Sequence, residues 1–172
     1  ATNYLNKGQA DQALEVLAPA LEGENPDERS LAVAGQAYLA KGDTARATSM
    51  FEKARIANPE NAAIRAQLGA ARLAGGGDNK QAIADLEAAS AMDKQQVNAD
   101  MVLVISFLQQ KEFDKALAAV DVLEKKQPDS PIPSNLRGGV NLAKGDIKTA
   151  RANFELALSK RGDFFPAAQN LV

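Results

Sequence analysis

The sequence predicts an all-α fold, a solenoid of repeated helix pairs, and three observations lead to this prediction. Alanine, the strongest helix former, accounts for 34 of the 172 residues. The string Leu-Ala-Lys-Gly-Asp occurs at residues 39–43 and returns unchanged at residues 142–146. That interval of 103 residues corresponds to three periods of 34, 35 and 34 residues. A period of this length is typical of solenoid proteins, in which each repeat packs on its neighbours.

The third observation is that small and large side chains recur in register with this period. An alanine is followed four residues later by a large apolar residue, and three residues later again by an alanine or leucine. The sets are Ala13/Leu17/Ala20, Ala47/Phe51/Ala54, Ala82/Leu86/Ala89, Ala116/Val120/Leu123 and Ala150/Phe154/Ala157. This spacing places the three residues on one face of a helix, where small residues allow neighbouring helices to approach closely.

Turn and cap residues divide each repeat into a first and a second helix. Gly8, Gly42 and Gly145 suit the left-handed position that ends a first helix. Asp43, Asp78 and Asp146 are expected to cap the second helices. The predicted helices span residues 9–22, 28–41, 44–57, 62–74, 79–92, 96–110, 113–126, 131–144 and 147–160. One array is predicted over 1–172, with repeats at 1–27 (partial), 28–61, 62–96, 97–130, 131–164 and 165–172 (partial).

This pattern resembles the tetratricopeptide repeat (TPR), a helix-turn-helix unit of about 34 residues with a Leu-Gly-x2-Tyr, Ala-x3-Phe and Pro signature. Gly35 and Tyr38 carry the first part of the signature, and Ala47, Phe51 and Pro59 carry the rest. The resemblance covers essentially the whole chain. It implies a right-handed superhelix of about five repeats, truncated at both ends.

Departures from the pattern lead to two further expectations. Arg72 and Asn141 stand where the repeat usually has an aromatic residue, so we expect looser packing there. The last repeat is incomplete, so apolar surface is expected to be exposed near Phe154, Leu158, Phe164 and Phe165. Such surface favours association, and self-association through the uncapped ends is therefore expected.

A narrower resemblance is to the TPR lipoprotein of the PEP-CTERM/exosortase system. The sequence segments that resemble this family lie at residues 4–8, 13–21, 81–90, 111–119, 125–129 and 164–168. The resemblance implies an exported protein of Gram-negative bacteria, anchored by lipid to the outer membrane on its periplasmic side. The export signal and anchor would lie outside this segment. It also implies a scaffolding role beside exopolysaccharide and protein-sorting machinery.

The composition excludes several classes of function. The chain has no Cys and no His, which removes zinc sites, thiol catalysis and His-dependent triads. Its net charge of -2 argues against nucleic-acid binding, which needs a basic surface. The most apolar run, residues 101–108, is too short for a transmembrane helix of roughly 20 residues. We therefore predict a protein that is not an enzyme and has no metal or cofactor.

A binding surface for a protein or peptide remains as the candidate site. In a TPR array the first helices line the concave wall. The candidate groove residues are Arg29, Gln36, Asn98, Met101, Ile105, Leu108, Gln109 and Asn135. Met101, Ile105 and Leu108 have i, i+4, i+7 spacing and share one face of a helix whose opposite face is also apolar. Either a partner covers this face, or neighbouring first helices do.

Two functions follow from these observations. The first is an interaction scaffold in an envelope exopolysaccharide and sorting system. The second is a TPR adaptor of another assembly, such as a pilus-secretion lipoprotein, an alginate or cellulose export superhelix, or a cytosolic adaptor.

Overall fold

A computed structural model of the protein describes residues 1–76, 79–95 and 97–171, and over these ranges the chain forms eleven helices without any strand. The helices are α1 (Thr2–Asn6), α2 (Ala10–Leu21), α3 (Glu28–Ala40), α4 (Thr44–Ala57), α5 (Ala62–Ala74), α6 (Asn79–Met92), α7 (Val97–Gln109), α8 (Phe113–Lys126), α9 (Pro131–Lys144), α10 (Ile147–Lys160) and α11 (Phe165–Gln169). The predicted all-α fold is confirmed, and each of the nine predicted helices is present with bounds within one residue of the prediction. Three positions in those predictions lie outside the described residues: Asp78 as a cap, Gln96 as a helix start, and Val172 as the last residue of the final repeat.

The helices group into two compact units. The N-terminal unit, Ala1–Asp93, contains α1 to α6, and in it α3 packs on α4, α4 on α5, and α5 on α6. The C-terminal unit, Lys94–Val172, contains α7 to α11, and in it α7 packs on α8, α8 on α9, and α9 on α10. Each unit is therefore built from successive helix pairs, as the 34-residue period predicts. The prediction of one array over the whole chain stays a prediction.

Local capping explains where the helices begin and end. The Asp43 carboxylate accepts a hydrogen bond of 2.9 Å from the backbone N–H of Arg46, and this bond lowers the pKa of Asp43. Asp146 accepts an equivalent bond of 3.0 Å from the Thr149 backbone. Gly145 ends α9 with a φ of 85°, a left-handed conformation that favours glycine. The predicted caps at Asp43 and Asp146 are confirmed.

The core of three repeats pairs a glycine on the first helix with a large residue on the second. A Cβ atom added to Gly35 would lie only 2.7 Å from the Phe51 ring, so glycine is what allows α3 and α4 to approach. Phe51 is completely buried. The equivalent pairs are Gly69/Leu86, Val104/Val120 and Gly138/Phe154. The valine pair reaches full burial by the opposite route, with a larger residue on the first helix and a smaller one on the second.

The expectation of loose packing at Arg72 is wrong. Its guanidinium forms an ion pair with Asp85, whose side chain is only 6% exposed, and a second ion pair of 2.8 Å with Glu52. Glu52 also binds Arg55 at 2.8 Å. Ionic contacts between three helices therefore replace the aromatic ring. Asn141, in the equivalent position of α9, is also buried, and its amide donates a hydrogen bond of 2.9 Å to the Arg137 carbonyl.

The expected exposure of the last repeat holds for one aromatic residue only. Phe154 and Phe164 are buried in a cluster with Ala150, Ala157 and Ala167, because α10 and α11 cover them. Phe165 is 67% exposed. The self-association expected from these side chains stays a prediction. The exposed apolar surface that would drive it is smaller than expected, because Phe154 and Phe164 are buried.

Candidate binding surface

Two of the predicted groove residues lie on α3 of the N-terminal unit. Arg29 is exposed and Gln36, two turns further along, is half-buried. The equivalent positions on α5 are Ala63 and Ala70, whose side chains are short. At these positions the N-terminal unit therefore has only two long polar side chains, those of Arg29 and Gln36, that could bind a partner.

The other predicted groove residues belong to the C-terminal unit, and most of them lie on α7. Ile105 is 48% exposed, while Met101 and Leu108, on the same face, are half-buried. Asn98 and Gln109 are exposed near the two ends of the helix. The opposite side of α7 is core, as expected: Leu103, Val104 and Phe107 are buried. Packing within the protein therefore leaves Ile105 half open to solvent.

A matching row lies on α9, which packs on α7. Asn135, Gly139 and Leu142 have the same i, i+4, i+7 spacing and stand one repeat after Met101, Ile105 and Leu108. Leu142 is 47% exposed. Asn135 is half-buried and its Oδ1 accepts a hydrogen bond of 3.2 Å from the Asn170 amide. We call these six residues the α7/α9 face.

The α7/α9 face carries no charge, because every charged side chain of the two helices is bound to α8. Asp100 of α7 pairs with Lys126 at 2.7 Å. On α9, Arg137 pairs with Asp121 at 2.8 Å and Glu124 at 2.7 Å, and Lys144 pairs with Asp114 at 3.2 Å. The exposed part of the face is therefore apolar at its centre and bordered by amide groups.

The repeat register places Gly139 and Leu142 on the inward side of α9 as well, in line with the candidate groove residues. A signal for both is present in the sequence. Gly139 follows the core residue Gly138, so it is an additional glycine inside a helix that the repeat does not require. Leu142 repeats Leu108 one period later.

The described part of the structure was compared with two other kinds of site, a metal site and a membrane-spanning helix. Residues 1–76, 79–95 and 97–171 contain no group of three or more Asp or Glu side chains placed to hold a metal ion. In the same ranges no helix is both long enough and apolar enough to cross a membrane.

Comparison with known proteins identifies the repeat. Two family models described as tetratricopeptide repeat match the chain, one over residues 32–76 and the other over residues 73–138. Together they cover residues 32–138, well over half of the chain. The comparison with curated proteins found no match to this chain.

Several solved TPR structures have the same fold. A MamA structure from Desulfovibrio magneticus RS-1 is 24% identical, covers 95% of this chain and 92% of its own, and has a TM-score of 0.79. YrrB, described as a TPR protein with an unusual peptide-binding site, is 21% identical with a TM-score of 0.74, covering 98% of this chain and 87% of its own. TTC0263 from Thermus thermophilus is 18% identical with a TM-score of 0.74, covering 99% of this chain and 92% of its own. The paired helices and the register of small and large residues agree with the two family models. The chain therefore belongs to the tetratricopeptide repeat family.

Proposed function

We propose that this protein is a non-enzymatic scaffold for protein–protein interaction and that its α7/α9 face binds an uncharged, apolar segment of a partner protein. The observation that carries the proposal is the pair Ile105 and Leu142, each about half exposed, on a face whose flanking charges are all bound to α8. The TPR fold suggests such a role, and YrrB is a TPR protein described as having a peptide-binding site.

The energetics of the face favour an uncharged ligand. Full burial of a Leu or Ile side chain contributes about 1.5–3 kcal/mol relative to full exposure, so covering the exposed halves of Ile105 and Leu142 supplies a useful fraction of a binding energy. A charged group laid on this face would lose its hydration without gaining an ionic partner. The amide of Asn135 within the face, and those of Asn98 and Gln109 near the ends of α7, suit the polar backbone of a peptide.

The substitution Ile105→Asp tests this proposal. Peptides are first selected on the wild-type chain from a displayed library of random short peptides, and their affinities are then measured on both proteins by calorimetry. We expect Ile105→Asp to weaken binding by about tenfold or more, because the introduced carboxylate must be desolvated under the ligand.

The matched control is Val122→Asp, which places the same charge on α8 at a side chain that is 41% exposed and outside the α7/α9 face. Both variants should melt near the wild-type temperature, because substitution of exposed residues usually changes stability by about 0.5 kcal/mol or less. A large fall in the melting temperature of Ile105→Asp alone would place Ile105 in the core. Equal affinities for the two variants would contradict a binding role for the face.

We also propose that the scaffold serves an envelope exopolysaccharide and protein-sorting system of the PEP-CTERM/exosortase type, as a periplasmic protein held by lipid at the outer membrane. The sequence segments at residues 4–8, 81–90 and 164–168 support this proposal, while the family models identify the repeat alone. Fractionation of the source cells, followed with an antibody against this chain, should find the protein with outer membranes. Recovery with the cytosol would favour an adaptor of another assembly.

A further inference from the structure

Met92 is the most exposed of the three methionines in this chain. It is the last residue of α6 and is 36% exposed, whereas Met50 on α4 and Met101 on α7 are half-buried. An oxidant in solution must reach the sulfur atom, so we expect Met92 to react before the other two. The product of such a reaction is methionine sulfoxide, which is polar and can be reduced again by enzymes.

The Met92 sulfur already has a hydrogen-bond donor, the Arg65 guanidinium of α5. Arg65 Nη1 donates to Met92 Sδ over 3.6 Å. A thioether sulfur is a weak acceptor, so this contact satisfies the guanidinium poorly. The start of α5 and the end of α6 are therefore joined at this point by a weak bond.

Arg65 has an unsatisfied donor at a second atom as well. Its Nε is buried and has no hydrogen-bond partner among the described residues. The Asp85 carboxylate lies 3.9 Å from this atom, which is close enough for an ion pair and too far for a hydrogen bond. Asp85 is instead hydrogen-bonded to Arg72. A buried donor without an acceptor is unfavourable, so Arg65 would gain from an oxygen acceptor within its reach.

We propose that Met92 is a reversible oxidation site for hydrogen peroxide and that its sulfoxide strengthens the contact between α5 and α6. In the reaction an S–O bond forms and the O–O bond of the peroxide breaks. The proton of the transferred hydroxyl joins the departing hydroxide as water. The sulfur loses two electrons, which reduce the peroxide. The new sulfoxide oxygen accepts from the charged Arg65 guanidinium, and charge-assisted hydrogen bonds to oxygen are strong.

The direction of this effect is opposite to the usual one. Oxidation of methionine normally disrupts a core, because it brings a polar group into apolar surroundings. Met92 instead borders solvent on one side and a poorly satisfied cation on the other. The proposed site belongs to the N-terminal unit and does not depend on a ligand at the α7/α9 face.

The experiment treats the double variant Met50→Leu, Met101→Leu with dilute hydrogen peroxide, so that Met92 is the one methionine left to oxidise. Leucine is close to methionine in volume and should preserve the packing. Mass spectrometry measures the extent of oxidation, and hydrogen exchange measures the protection of the α5 and α6 amides. We expect these amides to exchange about fivefold or more slowly after oxidation. Treatment with methionine sulfoxide reductases should restore the original rates.

Two further variants test whether Arg65 is the cause. Met92→Gln offers an amide oxygen to Arg65 without any oxidant, and it should slow exchange in the same direction. Arg65→Leu removes the donor and introduces the residue found at the equivalent position of the previous repeat, where Leu31 is buried. In that variant, oxidation of Met92 should give no protection.

The proposal is overturned if oxidation leaves the exchange of α5 and α6 unchanged or makes it faster. It is also overturned if oxidation slows exchange equally with and without Arg65. Oxidation of Met50 or Met101 ahead of Met92 in the wild-type chain would contradict the assignment of the reactive site. If Arg65→Leu does not fold, Met92→Gln decides, because exchange no slower than in the wild-type chain would overturn the role of Arg65.

Discussion

Replacing Asp100 by alanine is expected to lower the free energy of unfolding by about 3–5 kcal/mol, because it breaks a buried ion pair from one side. The Asp100 carboxylate lies 2.7 Å from Lys126 Nζ, and the two side chains are only 1% and 8% exposed. The variant would leave the Lys126 ammonium buried without this counter-ion. Hydrogen exchange of the α8 amides measures the effect, because it reports on the unit that contains the pair even if the chain unfolds in steps.

Asp114→Ala is the matched control. The Asp114 carboxylate on α8 pairs with Lys144 on the first helix α9, and the Asp114 side chain is 95% exposed. Exposed ion pairs contribute about 1 kcal/mol or less to stability. The double variant Asp100→Leu with Lys126→Met should recover most of the lost stability, since an apolar pair of similar volume avoids desolvation of both charges. If Asp100→Ala costs no more than Asp114→Ala, the pair does not experience the low-dielectric interior that its burial implies.

The positions of the helices were predictable because the signals that fix them are local. Asp43 and Asp146 cap the helices that follow them within three residues, and the spacing of Ala47, Phe51 and Ala54 selects the buried face of one helix. Each signal lies within a few residues of the structure it determines. The 34-residue period then gives the register in which each local signal recurs along the chain.

The ionic contacts were not predicted, because each depends on two helices that meet in space. The position of Lys126 at the end of α8 indicates only a favourable interaction with the helix dipole, and its ionic partner Asp100 lies 26 residues away. A weak signal was present, since Asp100 occupies the position of Leu31, which is buried, and of Arg65 in the earlier repeats. A charged residue at a position that is buried in another repeat calls for an ionic partner.

The candidate binding face was predicted only in part, for a similar reason. Periodicity placed Met101, Ile105 and Leu108 on one side of α7, but it could not tell how far neighbouring helices would cover them. That depends on the size of the side chains opposite.

The adjacent glycines of α9 are expected to respond to alanine with opposite signs. Gly138→Ala should lower the free energy of unfolding by about 1–3 kcal/mol, the usual cost of overpacking, because the new methyl group would lie 2.9 Å from Phe154 Cζ and overlap the ring further along its edge. Phe154 is 1% exposed, so its ring is held within the core. Gly139→Ala should raise stability by up to about 1 kcal/mol, because it replaces glycine inside a helix without any clash. Hydrogen exchange of the α9 and α10 amides measures both changes, and each variant is the control for the other.

A rescue experiment decides whether contact with Phe154 is the cause. In the fourth repeat the positions equivalent to Gly138 and Phe154 are occupied by Val104 and Val120, which are 1% and 0% exposed. Gly138→Val should therefore be strongly destabilising alone, since it adds a larger side chain than alanine at a closed position. Phe154→Val alone should also destabilise the unit, because it leaves a cavity beside Gly138. The two together should be more stable than either single variant, with a coupling energy of about 1–3 kcal/mol in the double-mutant cycle. Additive losses would mean that the glycine and the phenylalanine contribute independently, and that their pairing does not determine how α9 packs on α10.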